Sequence, residues 1–62
     1  MAGIFVENIK NGKKGKISND DFETISKINI KNNTKNSIVQ YDGEENKTLV
    51  KQDELKIIGN YD

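Results

Sequence analysis

Four lysines, Lys10, Lys13, Lys14 and Lys16, fall within seven residues. Around a tight turn their ammonium groups could converge on phosphates and release condensed counterions. Solvated turns of any Lys-rich chain look the same, and all ten basic residues here are Lys. The bidentate phosphate pairing and base reading that Arg provides are therefore missing. Asp42, Glu44, Glu45, Asp53 and Glu54 form a second set. Paired carboxylates can act as acid and base or hold a hard cation. Their spacing argues against both, because no Asp-x-Asp-x-Asp-Gly loop is present, Asp42-Gly43 suits a hairpin turn and Asp53-Glu54 suits a first helical turn. Tyr41 and Phe22 could form a stacking platform for a base or a partner side chain, although a lone aromatic on a strand more often packs inward. Tyr61 reads as part of a frayed end.

The absence of His and Cys removes the usual general base near neutral pH, the thiol and imidazole nucleophiles and the commonest zinc ligands. We therefore expect no enzyme, no cofactor and no metal. The 62 residues allow a single domain, 1–62, of modest stability with no disulfide or Cys/His metal site to reinforce it. No run approaches the roughly 20 apolar residues of a membrane span, and residues 1–10 lack the apolar core of a secretory leader. The expected setting is cytoplasmic, away from membranes. Nine Asn and nine Ile suggest an A/T-rich coding sequence, so Asn32-Asn33-Thr34 and Asn46-Lys47-Thr48 carry little weight as glycosylation acceptors. Net charge is zero, but residues 1–41 hold seven Lys against four acids and residues 42–62 three Lys against six. Spatially separate halves would suit a partner with complementary patches.

The elements that would position these residues are short apolar clusters separated by Gly and Asn, a pattern that favours strands. Ile4-Phe5-Val6-Glu7-Asn8-Ile9 is rich in β-formers and ends at the turn pair Asn11-Gly12. Lys16-Ile17-Ser18 follows Gly15, and residues 25–31 alternate Ser26, Ile28 and Ile30 with Lys27, Asn29 and Lys31. That alternation, with β-branched Ile at 25, 28 and 30, predicts a strand over 25–30. A competing reading is a short helix over about 19–26, because Ser18 and Asp21 resemble a capping pattern and Phe22, Ile25 and Ile28 have helical spacing. A hairpin follows, with 37–41 and 47–50 as strands and 42–46 as the turn. Residues 51–55 suit a single helical or 3₁₀ turn, and Lys56-Ile57-Ile58 closes as a last strand before Gly59.

Residues 6–17, Val-Glu-Asn-Ile-Lys-Asn-Gly-Lys-Lys-Gly-Lys-Ile, resemble the opening of a KOW-type domain: an apolar strand, a Gly turn, lysines and a Gly-x-Ile step. Residues 37–58, with Val39-Gln40-Tyr41-Asp42-Gly43, Thr48-Leu49-Val50 and Asp53-Glu54-Leu55, resemble the closing half of Tudor and other SH3-like barrels. The resemblance implies an all-β fold, a small five-stranded SH3-like barrel with a short 3₁₀ or helical turn before the last strand. Gly12 and Gly15 would relax the backbone of the Lys-bearing turn, and Leu55 would plug one barrel end. KOW-type domains often contact RNA or ribosome and polymerase components, so the resemblance also implies a nucleic-acid or ribonucleoprotein role. A methyl-lysine cage is a poor match, since the aromatics number four: Phe5, Phe22, Tyr41 and Tyr61.

The expected function is that of a noncatalytic binding module, monomeric when free. It would attach to a protein or ribonucleoprotein, with RNA or DNA as possible ligands, through Lys10, Lys13, Lys14, Lys16 and Tyr41. The alternative is a small inhibitor or accessory subunit that occludes a protein partner's surface through Asp42, Glu44, Glu45, Asp53 and Glu54. A peripheral subunit of a larger complex, marginally folded alone, is the third expectation.

Overall fold

The structure is a computed structural model describing residues 2–62, so Met1, the first residue of the segment read for a leader, lies outside the described residues. The β-formers of the first cluster build β1 (Gly3–Asn8), which turns back into β2 (Lys14–Ser18). A helix, α1 (Asn19–Asn32), leads to the hairpin β3 (Asn36–Tyr41) and β4 (Thr48–Lys51). A 3₁₀ turn, η1 (Gln52–Glu54), then opens directly into β5 (Leu55–Tyr61). The five antiparallel strands form one sheet in the order β4-β3-β2-β1-β5. That sheet is open, with β4 and β5 as its two edges.

Two expectations need correction. The chain is mostly β but not all-β, and the strand expected over 25–30 is helix, which extends beyond the competing 19–26 reading to Asn32. The end signals decide this. Ser18 is extended and its Oγ accepts from the Asp21 N–H at 3.1 Å, Asp20 and Asp21 lie in the first turn, where the helix dipole favours them, and Asn33 stops the helix at φ 54. Of the four apolar residues on α1, Ile25 is buried, while Phe22, Ile28 and Ile30 stay exposed. Ile28 and Ile30, which fit a strand's period, therefore do not form a buried face. Asn29 ties the end of α1 to β3: its Oδ1 accepts from Thr34 Oγ1 and the Asn36 N–H, and its Nδ2 donates to the Asn36 carbonyl, each at 3.0 Å.

Strand alternation sorts the sheet into two faces. Val6, Ile17, Val39, Tyr41 and Val50 gather on the inner face as the core, with Ile4 and Leu55 packed against them. Phe5, Glu7, Lys14, Lys16 and Lys56 share the outer face, because Phe5 pairs with Lys16 and Glu7 pairs with both Lys14 and Lys56. Gly12, at φ 75, makes the turn between β1 and β2. Gly15 does not bend that turn, as the sequence suggested. It sits within β2 opposite Tyr41, where an added Cβ would lie 2.6 Å from the Gln40 carbonyl oxygen, so its role is close approach of two backbones.

Candidate functional site

The Lys-bearing turn is fastened to the core by Asn8, the last residue of β1. This buried side chain donates from Nδ2 to the Tyr41 hydroxyl at 3.0 Å and accepts at Oδ1 from the Lys10 N–H at 2.9 Å. The Asn8 N–H donates to the Lys13 carbonyl, and the Gly12 N–H donates back to the Asn8 carbonyl. An Asx contact within the turn, from the Lys13 N–H to Asn11 Oδ1 at 2.9 Å, completes it. The turn is thus a preorganised loop. Asn8 anchors the candidate turn and sequence reading missed it, since an Asn before a turn looks like any other turn former.

The four lysines do not converge. Lys13 Nζ binds Glu44 Oε2 at 3.1 Å and lies 5.5 Å from the centroid of the Tyr41 ring. Lys14 and Lys16 leave the turn on the outer face of β2, and Lys16 Nζ lies 5.7 Å from the Tyr61 ring centroid. Lys10 stays exposed at the tip. Tyr41 is 5% exposed and belongs to the core, so it offers no stacking surface. Its hydroxyl works inward, on Asn8. Phe22 does remain exposed on α1, but far along the chain from the lysines of the turn.

The acids reach the same turn from two sides. On the β3 side the Asp42 N–H donates to the Lys14 carbonyl at 2.9 Å and Glu44 holds Lys13, with Glu45 exposed beside them in the hairpin turn. The Glu44 carbonyl also accepts from Gln40 Nε2. On the β5 side the Glu54 carbonyl accepts from the Ile9 N–H at 2.8 Å, placing η1, with Asp53 and Glu54, against the start of the turn. Among the described residues no three such groups cluster as metal ligands would. The charge halves are interleaved as well. Lys13 with Glu44, Lys47 with Asp21 at 2.7 Å and Lys56 with Glu7 at 3.9 Å each join a residue from 1–41 to one from 42–62.

Two features of the surface were not visible in the sequence. On the inner side an apolar groove of about 320 Å³ opens between the sheet and α1, lined by Ile4, Ile17, Phe22, Leu55 and Ile57. Phe22 is 54% and Ile57 69% exposed there. On the outer side Phe5 and Tyr61 bring their ring centroids within 5.1 Å at a tilt of 42°. Tyr61 is therefore no frayed end: it pairs with Gly3 at the close of β5. Among the described residues no helix is long and apolar enough to cross a membrane. Searches of protein-family models, of curated proteins and of solved structures find nothing that matches this chain.

Proposed function

We propose that this chain is a noncatalytic, cytoplasmic binding module, monomeric when free, that docks on a protein partner or the protein part of a ribonucleoprotein. The observation that carries this reading is the groove between the sheet and α1, where Phe22, Leu55, Ile57 and Ile4 leave apolar surface open to water on a 62-residue domain. Exposed apolar patches of this kind, rimmed by polar residues, mark interaction sites. A strand path that places β1 between β2 and β5, with a 3₁₀ turn before the last strand, supports the SH3-like reading. In that reading the sheet rolls toward a barrel and the groove is its remaining seam. The Lys-bearing turn contributes orientation more than attraction, because acids bracket it and Glu44 already occupies Lys13. A chain without His or Cys has little with which to do chemistry on its partner, which supports binding or surface occlusion as the activity.

Affinity capture from native extract, run with and without nuclease, tests this. The expected result is one stoichiometric protein that survives nuclease and is lost with Phe22→Ser or Ile57→Ser, whose exposed side chains can change without unfolding the domain. Retention by both groove variants, with loss on Lys10→Ala/Lys13→Ala, would instead return the contact to the Lys-bearing turn, and loss on nuclease treatment would make it a nucleic-acid contact; either overturns the groove reading. If the captured partner is an enzyme and saturating chain silences it, the module acts as an inhibitor by occlusion.

A further inference from the structure

The outer face of β1, β2 and β5 holds a built aromatic and cationic platform that the protein-docking groove, on the opposite face, does not use. Its assembly depends on a β-bulge. Val6 pairs with Ile57 but Phe5 pairs with Gly59, so Ile58 is an extra residue in β5. Without it, Tyr61 would fall opposite Ala2 and point to the inner face. With it, Tyr61 falls opposite Gly3 and shares the outer face with Phe5. Gly3 makes the room: a Cβ there would sit 2.5 Å from the Tyr61 hydroxyl oxygen, whereas one on Gly59 would meet Phe5 at an ordinary contact distance of 3.5 Å. The two rings pack at 5.1 Å, and Phe5 keeps 40% of its surface exposed. Lys16 lies directly across from Phe5 and reaches over Tyr61, and Lys14 follows two residues along β2 on the same face. Two strand residues span about 7 Å, comparable with the spacing of neighbouring phosphates in an extended single strand. Glu7 faces both Lys14 and Lys56, and Asp42 lies across from Lys14, its N–H donating to the Lys14 carbonyl at 2.9 Å, so Lys16, beside the rings, is the lysine farthest from these two acids along β2.

We propose that this platform binds single-stranded nucleic acid, with a base stacked on Phe5, which Tyr61 braces, and with the flanking phosphates on Lys16 and Lys14. An exposed aromatic ring braced by a half-buried one, beside lysines on the neighbouring strand, is the chemistry that recognises a π-face joined to an anionic backbone. The inference stands apart from the groove reading, since it concerns another face of the sheet.

The test is titration of the purified chain with fluorescently labelled eight-nucleotide single strands, one RNA and one DNA, alongside an abasic strand of the same length. Binding is expected to the base-bearing strands, with the sugar-dependent arm showing which nucleic acid is preferred. Phe5→Leu should weaken it about ten-fold, and the abasic strand should show a similar loss. Lys16→Gln should flatten the salt dependence by about 0.7 in the slope of log affinity against log salt, one phosphate's worth for a single strand. Backbone amide shifts of the wild-type chain should move at Phe5, Lys14, Lys16 and Tyr61, a readout that does not depend on any variant folding. Phe22→Ser should bind the oligonucleotide as the wild type does, so failure of the groove reading and failure of this one are distinguishable. No measurable binding, equal binding of the abasic strand, shifts confined to the turn at 10–13, or a peptide that occupies the platform while oligonucleotides do not would each overturn the proposal.

Discussion

Asn8 carries more of the architecture than its residue type suggests. One side chain bonds Tyr41 in the core and Lys10 in the turn, and its backbone closes the same turn through Lys13 and Gly12. Because it is buried, both amide groups must be satisfied, and removing them leaves the Tyr41 hydroxyl with a lost partner in a low-dielectric setting. Asn8→Ala should therefore destabilise the fold by about 1–3 kcal/mol in urea unfolding. Amide exchange across 9–13 should rise well above that of β3, because the turn loses its anchor. A change below about 0.5 kcal/mol would mean that water replaces the amide and that the turn is held by its backbone bonds alone. The residue-scale reading of the sequence found the lysines and acids but not what joins them. A buried Asn and an exposed turn Asn have the same letter, and only the inward position of Tyr41 separates them.

Among the elements, the strands and the turn before β5 were legible, α1 was legible only as the competing reading over 19–26, and the face taken by Tyr61 was not. Strand clusters bounded by Asn and Gly have one interpretation, but in this segment Ser26, Ile28 and Ile30 satisfy a period of two while Phe22, Ile25 and Ile28 have helical spacing. Only the cap at Ser18 and the left-handed stop at Asn33 break the tie. Tyr61 was hidden for another reason. A single extra residue in β5 reverses which face follows it, and no sequence pattern announces such a bulge. Helix and strand make opposite predictions for the isoleucines. On α1, Ile25 is buried and Ile30 is 84% exposed, so Ile25→Ala should cost about 2–5 kcal/mol while Ile30→Lys should stay within about 0.5 kcal/mol. A strand with Ile28 and Ile30 on its buried face would make Ile30→Lys the damaging change. Thermal or urea unfolding of the two variants decides it, and a severe loss from Ile30→Lys would refute the helix placement.

For the molecule as a whole, the balance of buried and exposed apolar side chains sets what the isolated chain can do. The main cluster consists of Val6, Ile17, Val39, Tyr41 and Val50, with Ile25 buried under α1, while Phe5, Ile9, Phe22, Ile28, Ile30, Leu49, Ile57 and Ile58 remain exposed. No disulfide constrains the unfolded chain, and the ion pairs at Lys13, Lys47 and Lys56 have half or more of the lysine side chain in water, where such pairs contribute about 0–1 kcal/mol each. Globular domains gain roughly 0.05–0.15 kcal/mol per residue, and a core this small belongs at the low end, about 3–4 kcal/mol for the free chain. With a slope near 1 kcal/mol per molar urea for so small a domain, the midpoint should fall at about 3–4 M. Partner engagement adds to this by mass action: a ligand at one hundred times its dissociation constant contributes about 2.7 kcal/mol. The groove partner should therefore raise the urea midpoint by about 2–3 M, and Phe22→Ser should abolish that rise while leaving the free midpoint within about 0.5 M. A free chain that resists 6 M urea would contradict the small core. A partner that binds without moving the midpoint would contradict its preference for the folded groove, since anything that binds the native state alone must stabilise it.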